Sequence, residues 1–408
     1  MSERVLAVWW DGAVAGRLTQ DRHGDLSFAY DPHWLTQAHA SLSRSLPLRA
    51  EPFDRRACRP FFGGLLPEEA QRAAAAGALG VSPANEFALL DRLGGDVAGA
   101  LTLLPEGEVP PPAAPYRASV PLDDAAFAAI LDRLPDRPML AGEADGLRLS
   151  LAGAQAKLPV VIVDGRPALP LPGQPTTHIV KPEIARFPGS VANEAWCMAL
   201  AARVGLDVAP AEAREAAGRP YLLVARYDRA VAGQMVTRLH QEDACQALGV
   251  PAERKYAAEG GPAFRDLFAL TRDYARVPAI DVLKLVDAAL FNLAIGNADA
   301  HGKNFSFLLD ARGPRLAPLY DLLATIDWPA LSPRLAMRVG RAGTIDDLDA
   351  TAWARFADDA GITLPFLRRR GIGLMQTIGA ACGAIAGPPA LAACTILRAQ
   401  RITQSLAD

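Results

Sequence analysis

From Ile280 to Leu293 the apolar residues Val282, Leu283, Leu285, Val286, Ala289, Leu290 and Leu293 recur three and four positions apart, the period of one helical face. Gly296 and Asn297 follow, and a glycine just past the last apolar position ends a helix. The period then changes. Phe305 to Leu309 is a β-prone run, Asp310-Ala-Arg-Gly-Pro314 carries turn chemistry, and Arg315 to Leu319 returns as a second strand. Folded about Arg312, this hairpin sets Asn304 opposite Tyr320. Opposed residues in an antiparallel pair lie about 4.5 to 5.5 Å apart, so Asn304 and Asp321 are expected to converge although seventeen positions separate them.

Upstream the pattern predicts a strand, turn and strand. Leu147 to Leu151 and Lys157 to Ile162 are strand-like, and between them lies Ala152-Gly153-Ala154-Gln155-Ala156, small residues whose backbone amides can approach phosphates. The loop matches neither the Walker A pattern nor Gly-x-Gly-x-x-Gly. His178-Ile-Val-Lys181-Pro182 reads as an apolar strand ending in a lysine. Ser190 is the expected N-cap of a helix from Val191 to Val204, closed by Gly205 and carrying Glu194 in its first turn. A further β run is Tyr221 to Val224.

At 408 residues the chain exceeds the roughly 250 to 300 beyond which one core stops growing, so at least two lobes are expected. Glu106-Gly-Glu-Val-Pro-Pro-Pro-Ala-Ala-Pro115 reads as a linker after an N-terminal α/β unit. The expected division is 1–105, 106–224 and 225–408, the last mostly helical. With 42 basic against 45 acidic residues the formal charge is −3, which argues against gripping nucleic acid by bulk electrostatics. Arg368-Arg-Arg370, Arg398 and Arg401 are read as a solvated helix face rather than a basic patch.

Five cysteines without metal-ligand spacing read as reduced core residues of a cytoplasmic protein. The start, Met1-Ser-Glu-Arg-Val, lacks a basic n-region, and no signal peptide is read. Met375 to Leu397 contains no charge. Gly387-Pro-Pro389 interrupts it, so two buried helices are expected rather than a membrane span.

The chemistry concentrates in Gly296-Asn-Ala-Asp-Ala-His-Gly-Lys-Asn304 and Leu319-Tyr-Asp321. An amide oxygen from Asn304 and a carboxylate from Asp321 suit a hard cation such as Mg²⁺. Asp299, in the loop before them, can accept a proton from an attacking hydroxyl. An Asp, an Asn five residues on and an Asp after a hairpin is the order of parts in a protein-kinase catalytic loop and metal-binding segment. The strand lysine Lys181 followed by the helix residue Glu194 parallels the ion pair with which kinases aim a lysine at phosphates. Taken singly, each of these is an ordinary loop, cap or strand-end residue.

As an ordered set they resemble the HipA family, serine/threonine kinases that act as toxins of bacterial toxin-antitoxin operons. The matching pieces are Ser150-Leu-Ala-Gly-Ala-Gln-Ala-Lys157, Ile179-Val-Lys-Pro182, Arg226-Tyr-Asp-Arg229, Arg238-Leu-His-Gln-Glu-Asp-Ala-Cys-Gln-Ala-Leu248, Lys255-Tyr256 with Gly260-Gly-Pro262, Asp299-Ala-His-Gly-Lys-Asn304 and Leu316-Ala-Pro-Leu-Tyr-Asp321. Phe62-Gly-Gly-Leu-Leu-Pro67 and Gly94-Gly-Asp-Val-Ala-Gly99 resemble the family's amino-terminal subdomain.

The resemblance implies an α+β, two-lobed protein-kinase-like fold with an N-terminal α/β subdomain and a mostly helical C-terminal lobe. It implies Asp299 as catalytic base, Asn304 and Asp321 as Mg²⁺ ligands, and Lys181 with Ala152, Gly153, Ala154, Gln155, Ala156 and Lys157 as ATP phosphate contacts. Ala225, Arg226 and Tyr227 would form the adenine hinge, and His301, Gly302, Lys303 and Tyr320 complete the nucleotide-binding set, His301 as a loop organiser. It further implies self-inactivation by autophosphorylation at Ser150. The partners implied are a protein substrate such as glutamyl-tRNA synthetase, a HipB-type helix-turn-helix antitoxin, and operator DNA reached mainly through that antitoxin; no membrane is expected. One departure stands out: Ala156 occupies a position where the family pattern has a glutamate. The alternatives are a kinase-like scaffold acting as a co-repressor with the antitoxin, and a kinase for a small molecule.

Overall fold

In a computed structural model of the chain, the described residues are 3–37, 39–112, 114–142 and 147–408. Ala113 of the expected linker and the first two residues lie outside them. The chain divides into two compact units, one formed by Met1–Pro182 with Arg214–Ala252 and the other by Glu183–Ala213 with Glu253–Asp408. This division differs from the expected boundaries. Residues 1–105 share a unit with the strands that follow them, and the helix Ser190–Arg203 belongs with the C-terminal residues.

The first unit opens with an antiparallel sheet in the order Leu26–Tyr30, Ala13–Gln20, Arg4–Trp10, Leu101–Pro105. Its first hairpin turns at Asp11-Gly12, both with positive φ (48° and 78°), as the tight turns matching strand twist require. Leu6 and Val8 alternate into one core, as do Phe28 and Tyr30; Ala15, at the register shift of its strand, and Leu18 join them, buried with Phe53, Phe61, Phe62 and Phe87. These last four come from the helices Arg55–Gly63 and Glu86–Leu93 and a preceding loop.

A second antiparallel sheet runs Arg166–Ala168, Leu158–Val163, His178–Pro182, Arg219–Ala225. Its core holds Leu158, Val160, Val180, Tyr221 and Leu223 against Phe127, Ile130 and Leu131 of the helix Asp124–Arg133.

What joins these halves is a buried ionic cluster around Asp96. Arg229 donates to its carboxylate at 2.8 Å, Thr176 at 2.6 Å, Arg238 at 3.2 Å and Arg226 at 3.3 Å. Arg226 is also bidentate to Asp228, at 2.9 and 2.7 Å, and the Gly99 N–H donates to the same carboxylate. Burial opposes ionisation of Asp96, but the guanidiniums of Arg229, Arg226 and Arg238 outweigh it and hold the carboxyl well below the usual carboxylate range. The expected strand from Leu147 to Leu151 does not form. Leu149 makes a single bridge to Asp96, and the Ser150 N–H donates to the Asp96 carbonyl, so this segment is held by the cluster's backbone instead of by a sheet.

The second unit is mostly helical: Ser190–Arg203, Phe264–Tyr274, Pro278–Ile295, Ala350–Ala360, Leu364–Ala381 and Pro389–Ala407. Phe264, Phe268, Phe305 and Phe356 pack edge to face or tilted in its interior, with Trp353 against Phe356. The helix Ser190–Arg203 begins one residue earlier than predicted, with Gly189 as N-cap. Ser190 does not cap it; the Glu183 carboxylate does, accepting the N–H groups of Gly189 and Val191, an anion at the positive end of a helix.

The uncharged stretch near the C-terminus is two helices broken at residues 382–388, and no described helix is long and apolar enough to cross a membrane. Three of the arginines considered as a patch have partners of their own. Arg370 is bidentate to Asp287 at 2.6 Å, and Arg401 lies 3.6 Å from Asp346. Arg398 donates to the carbonyls of Ala294 and Ile295 at the end of the helix Pro278–Ile295.

Candidate active site

The helix Pro278–Ile295 starts on a proline, whose missing N–H costs nothing there, and it ends at Gly296 with φ +78°. Glycine is required for a second reason. A Cβ at Gly296 would lie 2.7 Å from Ile326 Cγ1 and 2.9 Å from Arg398 Cζ. Beyond it the loop is shaped by side chains. Asn297 Nδ2 donates to Asn292 Oδ1 at 2.8 Å, and Asn297 Oδ1 accepts the Asp299 N–H at 3.1 Å, an Asx turn that presents Asp299. The Ala298 N–H donates to Thr325 Oγ1 at 2.8 Å, and the Ala298 carbonyl accepts from Ala336 N at 2.7 Å. Between these fastenings Asp299 is exposed, while His301, Gly302, Lys303 and Asn304 are buried.

The hairpin is Ser306–Asp310 paired with Gly313–Leu316. Its register is Phe307 to Leu316 and Asp310 to Gly313, one residue tighter than the pairing expected about Arg312. The turn is the two residues Ala311 and Arg312, so continuing the register sets Asn304 across from Leu319, not Tyr320. Tyr320 reaches the loop through its phenol, which donates to the Lys303 carbonyl at 2.5 Å and lies 2.7 Å from Ser306 Oγ.

Asn304 and Asp321 meet at the open end. Asn304 Oδ1 accepts the His301 N–H at 3.0 Å, and its Nδ2 donates to Asp321 Oδ2 at 2.8 Å. Asp321 has φ +59°, a left-handed conformation that disfavours any residue with a Cβ and that clusters at functional sites. An amide oxygen with a second lone pair beside a carboxylate is a fitting donor set for a hard divalent cation.

In the first unit, Leu158 pairs with Val180, so Lys157 and Lys181 are the next residues at that end of the sheet. Lys181 is buried. Gln155 Nε2 donates to the Pro182 carbonyl at 3.4 Å, linking the small-residue loop to the strand that carries Lys181. Within the loop Lys157 Nζ donates to the Ala152 carbonyl at 2.6 Å and lies over Gly153, whose φ is +113°. A Cβ on Gly153 would sit 2.4 Å from that ammonium, the far end of a flexible side chain, so it is the backbone conformation that sets the glycine. Ala154 and Gln155 form the bend, and Ala156 leads into the strand. Ser150 is fully buried, and its Oγ donates to the Leu65 carbonyl at 2.8 Å.

In the expected hinge, Ala225 to Tyr227, the arginine has partners of its own. Arg226 is committed elsewhere: its guanidinium belongs to the Asp96 cluster, and its N–H donates to the Thr177 carbonyl at 2.9 Å. Neither is left for an adenine. Ala225 ends the strand opposite His178, and the Tyr227 hydroxyl donates to Gln241.

Comparison with known proteins gives this geometry its family. Residues 149–382 match the HipA-like C-terminal domain, and residues 6–104 match the HipA N-terminal domain. The chain belongs to the HipA family of serine/threonine kinases. Among family relatives, Y4mE of Sinorhizobium fredii, named for an inferred kinase activity, is 63% identical over 374 residues, covering 91% of this chain and 89% of that protein. The serine/threonine-protein kinase toxin HipA of Shewanella oneidensis is 33% identical over 366 residues, covering 86% and 82%. A solved Shewanella oneidensis HipA, in complex with HipB and operator DNA, superposes with a TM-score of 0.84 at 27% identity, covering 98% of this chain and 96% of that one. The α+β kinase-like fold of the HipA family is therefore the fold of this chain.

Sequence reasoning missed the residues that hold the loop in place. Asn292, Asn297 and Thr325 shape it, and Asp281 accepts the Leu316 N–H at 3.1 Å from within the helix. A signal was present for two of them: Asp281 and Asn292 are polar residues among the apolar positions of the helix, and unlike Lys284 and Asp287 both are buried.

Proposed function

We propose that this chain transfers the γ-phosphate of ATP to a serine or threonine hydroxyl of a protein, with Asp299 as the base. The observation that carries this is the 2.8 Å contact of Asn304 with Asp321, five residues after an exposed Asp299 on the same fastened loop. Asn304 and Asp321 would hold Mg²⁺, which when bound supplies neutralisation of phosphate charge. Lys181 and the loop 152–157 would contact the phosphates, a reading supported by the register that sets Lys157 and Lys181 at the same end of the sheet. His301, Gly302, Lys303 and Tyr320 keep the loop in shape, and the backbones of Ala225 and Tyr227 meet the base.

The family supports a role as a growth-arresting toxin. In this reading a HipB-type antitoxin neutralises it and carries the operator contacts, consistent with a net charge of only −3. An aminoacyl-tRNA synthetase is the first target class to examine, by phosphoproteomics after brief induction. The mechanism is tested by Asp299→Asn, expected to keep ATP binding and lose transfer by about 10² to 10⁴, the scale of a positioned base. Unchanged phosphate incorporation in that variant would remove the mechanism.

A further inference from the structure

The helix Ser190–Arg203 carries, beside Glu194, the buried residue Asn193, which has no part in the reading above. Its Oδ1 accepts the backbone N–H of Ala324 at 2.8 Å, and its Nδ2 donates to the carbonyl of the same residue at 3.3 Å. One side-chain amide thus does for Ala324 what a neighbouring strand would do, in a place sealed from water: Ala324 is 0% exposed.

Ala324 follows Asp321 by three residues. The next residue, Thr325, accepts the N–H of Ala298, the neighbour of Asp299. On the other side of Asp321, Leu319 is pinned by Asp207 and Ala209, its N–H donating to the Asp207 carbonyl at 2.8 Å and its carbonyl accepting from Ala209 at 2.9 Å. The left-handed Asp321 therefore sits between two anchored points. Such a conformation persists where the surroundings over-determine it. Asn193 is the only one of these anchors that comes from the helix bearing Glu194.

The geometry points to Asn193 as a positioning residue for phosphate transfer: by clamping Ala324 it holds the Asp321 backbone in place and ties the metal-binding segment to the helix Ser190–Arg203. This rests on the reading of Asp321 as a metal ligand. Asn193 touches neither metal nor substrate. It acts through the chain from Ala324 back to Asp321, so its loss shows in metal use before it shows in nucleotide binding.

The test uses the full-length chain and three variants. Asn193→Leu keeps the side chain's branched shape and heavy-atom count, at somewhat larger bulk, and loses both bonds. Asn193→Asp keeps the acceptor for the Ala324 N–H and sets a carboxylate against the Ala324 carbonyl. Asp321→Asn is the control for the reading beneath. For both Asn193 variants the Mg²⁺ concentration giving half-maximal phosphate incorporation is expected to rise about tenfold, the effect of leaving a buried backbone group unsatisfied, with nucleotide affinity measured without metal unchanged. Hydrogen exchange is expected to quicken in peptides spanning residues 321–325 and not in the core helix Phe264–Tyr274.

If Asp321→Asn leaves transfer intact, the metal-ligand reading falls and takes this inference with it. If Asp321→Asn abolishes transfer while Asn193→Leu keeps the parental Mg²⁺ dependence, the inference about Asn193 alone is overturned. Exchange that quickens uniformly over the chain also overturns it, because Asn193 would then serve the fold and not the segment.

Discussion

The Ser150 hydroxyl donates to the Leu65 carbonyl at 2.8 Å, across 85 positions of sequence, and neither residue is open to solvent. The neighbouring N–H, of Leu151, faces the thioether of Met139 at 3.3 Å, a weak acceptor in a buried apolar setting. A phosphoserine carries about −1.5 to −2 charges at neutral pH. That charge is incompatible with a fully buried site against the Leu65 carbonyl, so a phosphate on Ser150 requires the segment to leave its place.

Autophosphorylation is therefore expected to be read out twice. Parent protein incubated with ATP and Mg²⁺ should gain one phosphate at Ser150 by mass spectrometry, and Ser150→Ala should not. In the phosphorylated form, limited proteolysis between residues 150 and 157 should become faster. A parent that stays unmodified after prolonged incubation would count against self-inactivation.

Asp96 is the hub on which the first unit is joined. Removing one partner of a buried, hydrogen-bonded ion group leaves the others uncompensated, a loss of about 3 to 5 kcal/mol. Asp96→Ala is expected to lower the denaturant midpoint accordingly, by leaving the guanidiniums of Arg226, Arg229 and Arg238 with the single carboxylate of Asp228 among them. A midpoint equal to the parent's would show that the cluster contributes no stability.

His240 gives the chain an acid-sensitive point. It is buried; Nε2 lies 2.7 Å from the Leu42 carbonyl, and Nδ1 accepts the Ala100 N–H at 3.4 Å, so both nitrogens suit the neutral ring. Burial pushes its pKa down from 6.5 to about 4. The folded state keeps the ring neutral while the unfolded chain takes up a proton below pH 6.5, so stability is lost as pH falls from about 6.5 towards 4, and this group contributes no further loss below that. The contribution is of order 3 kcal/mol. Urea midpoints across this window should fall less steeply for His240→Phe, which takes up no proton, than for the parent; equal slopes would exclude the role given to His240.

Legibility varied with how local the physics is. The helix ending at Gly296 was readable because burial imposes a 3.6-residue period and a left-handed glycine ends it. The hairpin was readable from its turn residues, but its register was not, because Asp310-Ala-Arg-Gly-Pro314 admits two turn positions and backbone pairing chose the tighter one. Leu147 to Leu151 looked like a strand because apolar alternation cannot distinguish a residue paired in a sheet from one held by a buried carboxylate's backbone. The commitment of the Arg226 side chain was illegible for a related reason: an arginine after a β run looks available until its partners Asp96 and Asp228 are in place.

By itself the sequence determined the order and spacing of Asp299, Asn304 and Asp321 and the periodicities around them, because these are properties of the chain. Only the tertiary structure decided what holds them. The Asn193 clamp on Ala324, the Thr325 bond to Ala298 and the Ser150 bond to Leu65 join residues 27 to 131 positions apart. Such bonds arise because buried backbone groups must find partners wherever the fold brings them, and no local pattern records which partner that will be.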